Sequence, residues 1–152
     1  MIDRFERFSI VISEISRYWH KITTAEMEKH GLKGAHSIYL TTMARFPEGI
    51  TAAQLCELCG KDKSDVSRMM HIMEKNGLVV KEGGHQNRYN GVFRLTEEGK
   101  AAAAYVEQRA ALAVSIAGSQ LTDETRVVLY NALESIAEKL RTISEDGLPA
   151  EE

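Results

Sequence analysis

The stretch from Thr51 to Leu95 constrains the fold more than any other, because its caps, stops and change of period admit few arrangements. Thr51 and Gln54 read as a capping box. The threonine hydroxyl closes the first turn and the glutamine reaches back, so a short helix is predicted over Thr51–Cys59. Gly60 ends it. Asp62 then suits an N-cap, with Asp65 at the third position complementing the helix dipole, for a helix that runs to Asn76 and stops at Gly77. Beyond Gly77 the period shortens: Leu78, Val79 and Val80 suit a strand, Gly83-Gly84 a turn region, and Val92-Phe93-Arg94-Leu95 a returning strand. Two helices joined by a glycine turn and followed by a hairpin make a helix-turn-helix candidate with a β-wing.

The flanks are helical. Phe5, Phe8, Ile12, Ile15, Trp19 and Ile22 recur at steps of three and four, predicting a helix over about Asp3–His30 that stops at Gly31 with Leu32 covering its end. A second helix fits Ala35–Arg45, with Ile38, Leu40 and Met43 as inward positions, before Pro47-Glu48-Gly49 breaks it. Thr96-Glu97-Glu98 opens another, in which Ala101 to Ala104 supply propensity and Tyr105, Leu112 and Ile116 a packing surface; Gly118 ends or weakens it. The last begins near Thr122 and spaces Leu129, Leu133, Ile136, Leu140 and Ile143 by four and three. Both terminal stripes need partners. They can pack within one chain or form the interface of a homodimer, and the dimer is favoured because a short winged domain offers little to cover two long stripes. The expected fold class is mainly α with a small β-hairpin wing. One unit spans residues 1–152, with 35–99 as the winged helix-turn-helix and 1–34 and 100–148 as dimerisation helices.

On the helix from Lys63 to Asn76, Ser64, Ser67, Arg68, His71 and Lys75 fall on one polar face, and Val66, Met70 and Met73 on the other. A helix buried on one side, with short hydroxyls and cations on the other, meets the requirements of the DNA major groove, where Arg68 could contact guanine through two hydrogen bonds. A solvated helix face fits the same pattern. Lys61 and Lys63 extend the face toward the helix start. Asp65 can accept from a cytosine amino group or serve the helix start. Between the strands, the polar tip His85-Gln86-Asn87-Arg88-Tyr89 offers Arg88 and Tyr89 to phosphates or the adjacent minor groove, unless it is an ordinary loop.

Charge bears on this. The chain of 152 residues carries a net −3, which taken alone argues against a nucleic-acid partner. From Lys61 to Arg94, however, seven Lys or Arg stand against four acids, while the remaining twelve bases and eighteen acids leave the rest at −6. The acidity lies outside the candidate reading head. At 43% hydrophobic and 27% charged residues the chain is an ordinary folded protein. Its two cysteines make no disulfide framework, Met-Ile-Asp-Arg-Phe-Glu-Arg holds no signal-peptide stretch, and no apolar run approaches the ~18 residues of a membrane span, so a cytoplasmic location is expected.

The run Thr51-Ala52-Ala53-Gln54-Leu55 through Val66-Ser67-Arg68 to Glu74-Lys75-Asn76-Gly77-Leu78-Val79, with a hairpin ending Arg94-Leu95-Thr96-Glu97-Glu98-Gly99, resembles the MarR family of bacterial and archaeal transcription regulators. The resemblance implies a homodimeric winged helix-turn-helix protein that binds pseudo-palindromic double-stranded DNA operators and responds to small aromatic ligands or oxidants. It also implies a ligand cleft, which Tyr18, Trp19, His36 and Tyr39 could line, each being equally suited to core or interface. Two positions depart from the family pattern. Asn87-Arg88-Tyr89 stands where the wing commonly has Asp-Xaa-Arg, and Asp65 where a small or hydroxyl residue is common.

Cys56 and Cys59 lie three apart on a helix. Buried packing, redox sensing and metal binding are the available readings; the resemblance places them at a small and an apolar position facing the recognition helix. His20, His30 and His36 cluster near the first helix junction without the fifth-helix histidines that zinc-sensing relatives use. No nucleophile–base pair, phosphate loop or paired carboxylates stand out, so neither catalysis, a cofactor nor a metal is expected. The expected function is a repressor released by a small molecule or an oxidant. A winged-helix protein-interaction module and a thiol oxidoreductase are the alternatives.

Overall fold

The structure, a computed structural model, describes residues 3–29, 31–83 and 91–150. In chain order its elements are α1 (Arg4–Glu28), α2 (His36–Ala44), β1 (Ile50–Thr51), α3 (Ala52–Cys59), α4 (Lys63–Lys75), β2 (Val79–Glu82), β3 (Val92–Leu95), α5 (Glu97–Ala117) and α6 (Asp123–Asp146). Two compact units divide at residue 111, within α5. No described helix is long and apolar enough to cross a membrane.

In the first unit the local signals act as their chemistry requires. Thr51 Oγ1 accepts from the Gln54 N–H at 3.2 Å while the Thr51 N–H donates to Gln54 Oε1 at 3.0 Å, closing the capping box. Asp62 Oδ1 accepts from the Asp65 N–H at 2.8 Å and caps α4. Gly60, at φ +61°, turns the chain between these two helices in a conformation that costs a residue with a Cβ about 1 kcal/mol or more. The sheet is antiparallel with β3 in the middle. β3 pairs with β2 (Val79 opposite Leu95, Lys81 opposite Phe93) and with β1 (Ile50 opposite Phe93). Arg94 pairs with Glu82 across the ladder, and Lys81 Nζ sits 5.6 Å from the Phe93 ring centroid.

One core joins these pieces. Leu40 and Met43 from α2, Leu55 and Cys59 from α3, and Val66, Met69, Met70 and Met73 from α4 pack with Ile50, Val79, Phe93 and Leu95 of the sheet and with Ala102, Ala103 and Val106 of α5. Glu26 ties α1 to α5: its carboxylate accepts from Lys29 Nζ at 2.7 Å, and from the Tyr105 hydroxyl and Arg109 Nε at 3.0 Å each. Those donors hold its pKa down at about 2 against an ordinary 4.5.

Several sequence expectations are corrected. α1 spans Arg4–Glu28, with His30 outside the described residues. On α2 the buried positions are His36, Tyr39, Leu40, Thr42 and Met43, and Ile38 is exposed. Steps of three and four from Leu40 and Met43 run through His36 and Tyr39, and Ile38 lies off that row. On α5 the buried row is Gly99, Ala102, Ala103 and Val106; Leu112 and Ile116 are exposed. Small residues win there because the helix lies close on the chain beneath it. The second strand begins at Val79, since the Leu78 N–H is spent on Met73 O at the end of α4. β1 had no expected counterpart: two residues carry no period of their own.

In the second unit Thr122 Oγ1 caps α6 by accepting from the Thr125 N–H at 3.2 Å, and Arg126 Nη2 donates to Gly118 O at 3.0 Å. α6 buries none of its residues. The stripe on α1 is also open: Phe5 is 74% and Ile15 59% exposed, and Met27 is the buried residue of that helix.

Two predictions follow from this packing. A Cβ on Gly99 would lie 2.0 Å from Leu78 O, an oxygen already accepting from the Thr96 N–H. Helix propensity favours Gly99→Ala by about 1 kcal/mol, but the backbone clash outweighs it, and urea denaturation should show a net loss of about 1–3 kcal/mol. Because Glu26 is more acidic folded than unfolded, its contribution is complete above its ordinary pKa of 4.5 and disappears as pH falls through about 2. Glu26→Gln should therefore lower the thermal midpoint at neutral pH, with the gap to wild type closing across that window.

Candidate nucleic-acid interface

α4 presents two faces whose separation is set by what the core takes. Val66, Met69, Met70 and Met73 are buried, while Lys63, Ser64, Ser67, Arg68, His71 and Lys75 are exposed, with Lys61 exposed just ahead of the helix. The sequence-predicted polar face is thus brought together. Lys63, Ser64, Ser67, Arg68 and His71 line a shallow depression of about 530 Å³. A convex helix with short hydroxyls between long cations suits a groove whose walls are phosphates and whose floor is base edges.

Asp65 does not join that face as a free acceptor. Its Oδ2 accepts from the Tyr39 hydroxyl at 2.5 Å and its Oδ1 from Arg68 Nη2 at 2.9 Å. These donors hold the Asp65 carboxyl below its usual range. Burial first, and the carboxylate second, push the Tyr39 phenol far above its ordinary value, so it stays a donor. Swinging Asp65 away would leave a buried hydroxyl unpaired at a cost of about 1–3 kcal/mol, so the contact also fixes α2 against α4. A spacing of three on a helix signals the Asp65–Arg68 pair. No sequence pattern signals Tyr39, which lies 26 residues away.

The four candidate ligand-cleft residues are not gathered into one pocket. Tyr18 and Trp19 are exposed on α1, while His36 and Tyr39 are buried in the core. His36 Nδ1 accepts from the Lys33 N–H at 3.1 Å, and burial followed by the Lys33 charge keeps its pKa below normal, so the ring is neutral. Its Nε2 has no partner among the described residues. A different cavity, about 260 Å³, opens between the end of α2, β3 and α5, with Met43, Phe46, Pro47, Leu95 and Ala103 as apolar wall and Arg94, Lys100 and Glu107 as charged rim.

Cys59 is buried and its thiol donates to Thr42 Oγ1 at 3.6 Å; burial pushes its pKa up, which disfavours the reactive thiolate. Cys56 is half-buried against the same core. Among the described residues no three His, Cys, Asp or Glu are grouped to hold a metal. Arg88 and Tyr89 of the wing tip lie outside the described residues.

A capped helix pair turning at glycine, followed by a sheet against α5, defines a winged helix-turn-helix protein. Residues 30–88 match the model of the MarR family. Solved structures carry the same fold over nearly all of the chain. A MarR-family regulator from Listeria monocytogenes, solved with a 26mer DNA, is 22% identical with TM-score 0.79 over 100% of both chains. A MarR regulator from Methanosarcina mazei is 24% identical with TM-score 0.82 over 94% of each. Staphylococcus aureus MarR, solved with salicylate and kanamycin, is 18% identical with TM-score 0.78, covering 90% of this chain and 92% of its own. No curated protein matches the sequence.

Proposed function

We propose that the chain is a DNA-binding transcriptional regulator acting as a homodimer, a repressor that a small aromatic molecule or an oxidant releases from paired half-sites. The observation that carries this reading is the exposed face of α4, where Ser64, Ser67, Arg68, His71 and Lys75 stand on a helix locked from behind by four buried residues. The Listeria relative solved with DNA supports the same ligand class. The open apolar stripes of α1 and α6 support pairing with a second copy. The apolar wall of the 260 Å³ cavity, with Arg94 and Lys100 beside Glu107 at its rim, supports a small aromatic ligand, the class of the salicylate found with the Staphylococcus relative.

The test is selection of fragments of the source genome by the purified protein. Fragments bearing inverted half-sites should be recovered, with affinity falling steeply as salt rises. Arg68→Ala should lose about ten-fold or more of the preference for those fragments over random DNA. Recovery of none, or binding indifferent to salt, would overturn the reading and favour a protein partner.

The dimer has its own test in sedimentation. Ile15→Glu on α1 or Leu133→Glu on α6 places a charge in the proposed interface and should weaken association by about 100-fold or more. Wild-type dimerisation constants in both variants would exclude these faces.

A further inference from the structure

Tyr39 is fully buried, yet its hydroxyl is spent on a residue of the exposed helix face. Asp65 bridges the two environments, its side chain 26% exposed, and passes the constraint to Arg68, whose side chain is 64% exposed. A lone surface pair at this spacing would leave the arginine mobile. Here the carboxylate is itself held at 2.5 Å by a phenol embedded in the core, so the guanidinium is tethered at 2.9 Å to a fixed point. One of the five guanidinium N–H groups is used, which leaves enough donors for a two-bond contact to the O6 and N7 of a guanine. A tethered guanidinium presents those donors in one direction. A free one would turn toward any nearby phosphate.

We propose that Tyr39 and Asp65 are positioning residues that aim Arg68 at one base pair of each half-site, so that operator specificity is set from inside the core. The proposal rests on the DNA-binding reading. It gives the two residues separable roles. Asp65 also places a negative charge beside the phosphates and thereby lowers affinity for DNA of any sequence. Tyr39 carries no charge and acts through orientation alone.

The experiment measures binding of the intact protein to the selected operator and to every single-base-pair variant of it, for wild type, Tyr39→Phe, Asp65→Asn, Arg68→Ala and the Tyr39→Phe/Arg68→Ala double variant. Arg68→Ala should flatten the preference at one position per half-site. Tyr39→Phe and Asp65→Asn should reduce it at that same position by about three- to ten-fold. Tyr39→Phe should keep the wild-type affinity for random DNA and its salt slope, whereas Asp65→Asn should bind random DNA more tightly. In the double variant Tyr39→Phe should add nothing, because the side chain it aims is gone. Full preference at the Arg68 position in Tyr39→Phe would overturn the proposal. An equal loss at every position, persisting in the double variant, would also overturn it, since that is the signature of a loosened core. If Asp65→Asn does not fold, Tyr39→Phe, which keeps the ring, decides alone. If Arg68→Ala leaves every position unchanged on an operator that is still selected, the proposal fails and the DNA-binding reading stands. If no operator is selected, both fail.

Discussion

Burial of the α4 side chains Val66, Met69, Met70 and Met73 is the constraint on which the rest of this protein depends. Each is worth about 1.5–3 kcal/mol when removed from water, so the four together fix the helix's rotation about its own axis. A turn of one position in the sense that carries Arg68 inward would bring Asp65 and Arg68 to the core and put Val66, Met70 and Met73 out. Taking those charges out of water costs several kcal/mol more, so that rotation is not close in energy. What α4 offers to a partner is what the core declines. Methionine suits this role because its unbranched chain fills irregular gaps between α2, α3 and the sheet.

The sheet gives that core its far wall. β3 is central, and Phe93 and Leu95 point inward from it while Arg94 is engaged by Glu82 on the other side of the strand. The link onward to α5 depends on one polar cluster at Thr96. Its N–H donates to Leu78 O, its hydroxyl donates to Gly77 O at 2.6 Å, and the same oxygen accepts from the Gly99 N–H at 3.0 Å. This single residue therefore ends a strand, caps a helix and joins both to the stop after α4. Gly99 is small for the same reason: the first turn of α5 has to lie on the Leu78 carbonyl.

Legibility in the sequence follows the distance over which each contact acts. The Thr51–Gln54 box, the Asp62 cap, the Thr122 cap and the polar face of α4 were readable because each is decided within a few residues and one helical period. The buried row of α5, the β1 pairing and the Glu26 cluster were not, because each depends on a surface brought from elsewhere in the chain. His36 and Tyr39 show the difference most clearly. Both look like polar groups for a ligand and both are buried, but only Tyr39 has its polar atom fully partnered, by the Asp65 carboxylate. His36 accepts from the Lys33 N–H while its Nε2 has no partner among the described residues. A net gain of about 1 kcal/mol per bond is small, but for Tyr39 the loss avoided by not leaving a buried group unpaired decides where the side chain can sit.

Charge is the last element to fit. An overall −3 with a basic segment between Lys61 and Arg94 implies a weak field at long range, and the Asp65–Arg68 and Glu82–Arg94 pairs weaken it further within that segment. A face of this kind gains less from phosphates than a strongly basic one would, though its lysines and Arg68 still make binding salt-dependent. On the proposed reading, affinity then comes from alignment: two copies set the spacing of two α4 helices, and each helix has a rigid back that keeps its side chains from adapting to the wrong sequence. On that reading the low net charge and the constrained arginine would act in the same direction, suppressing binding to random DNA more than binding to the matching site.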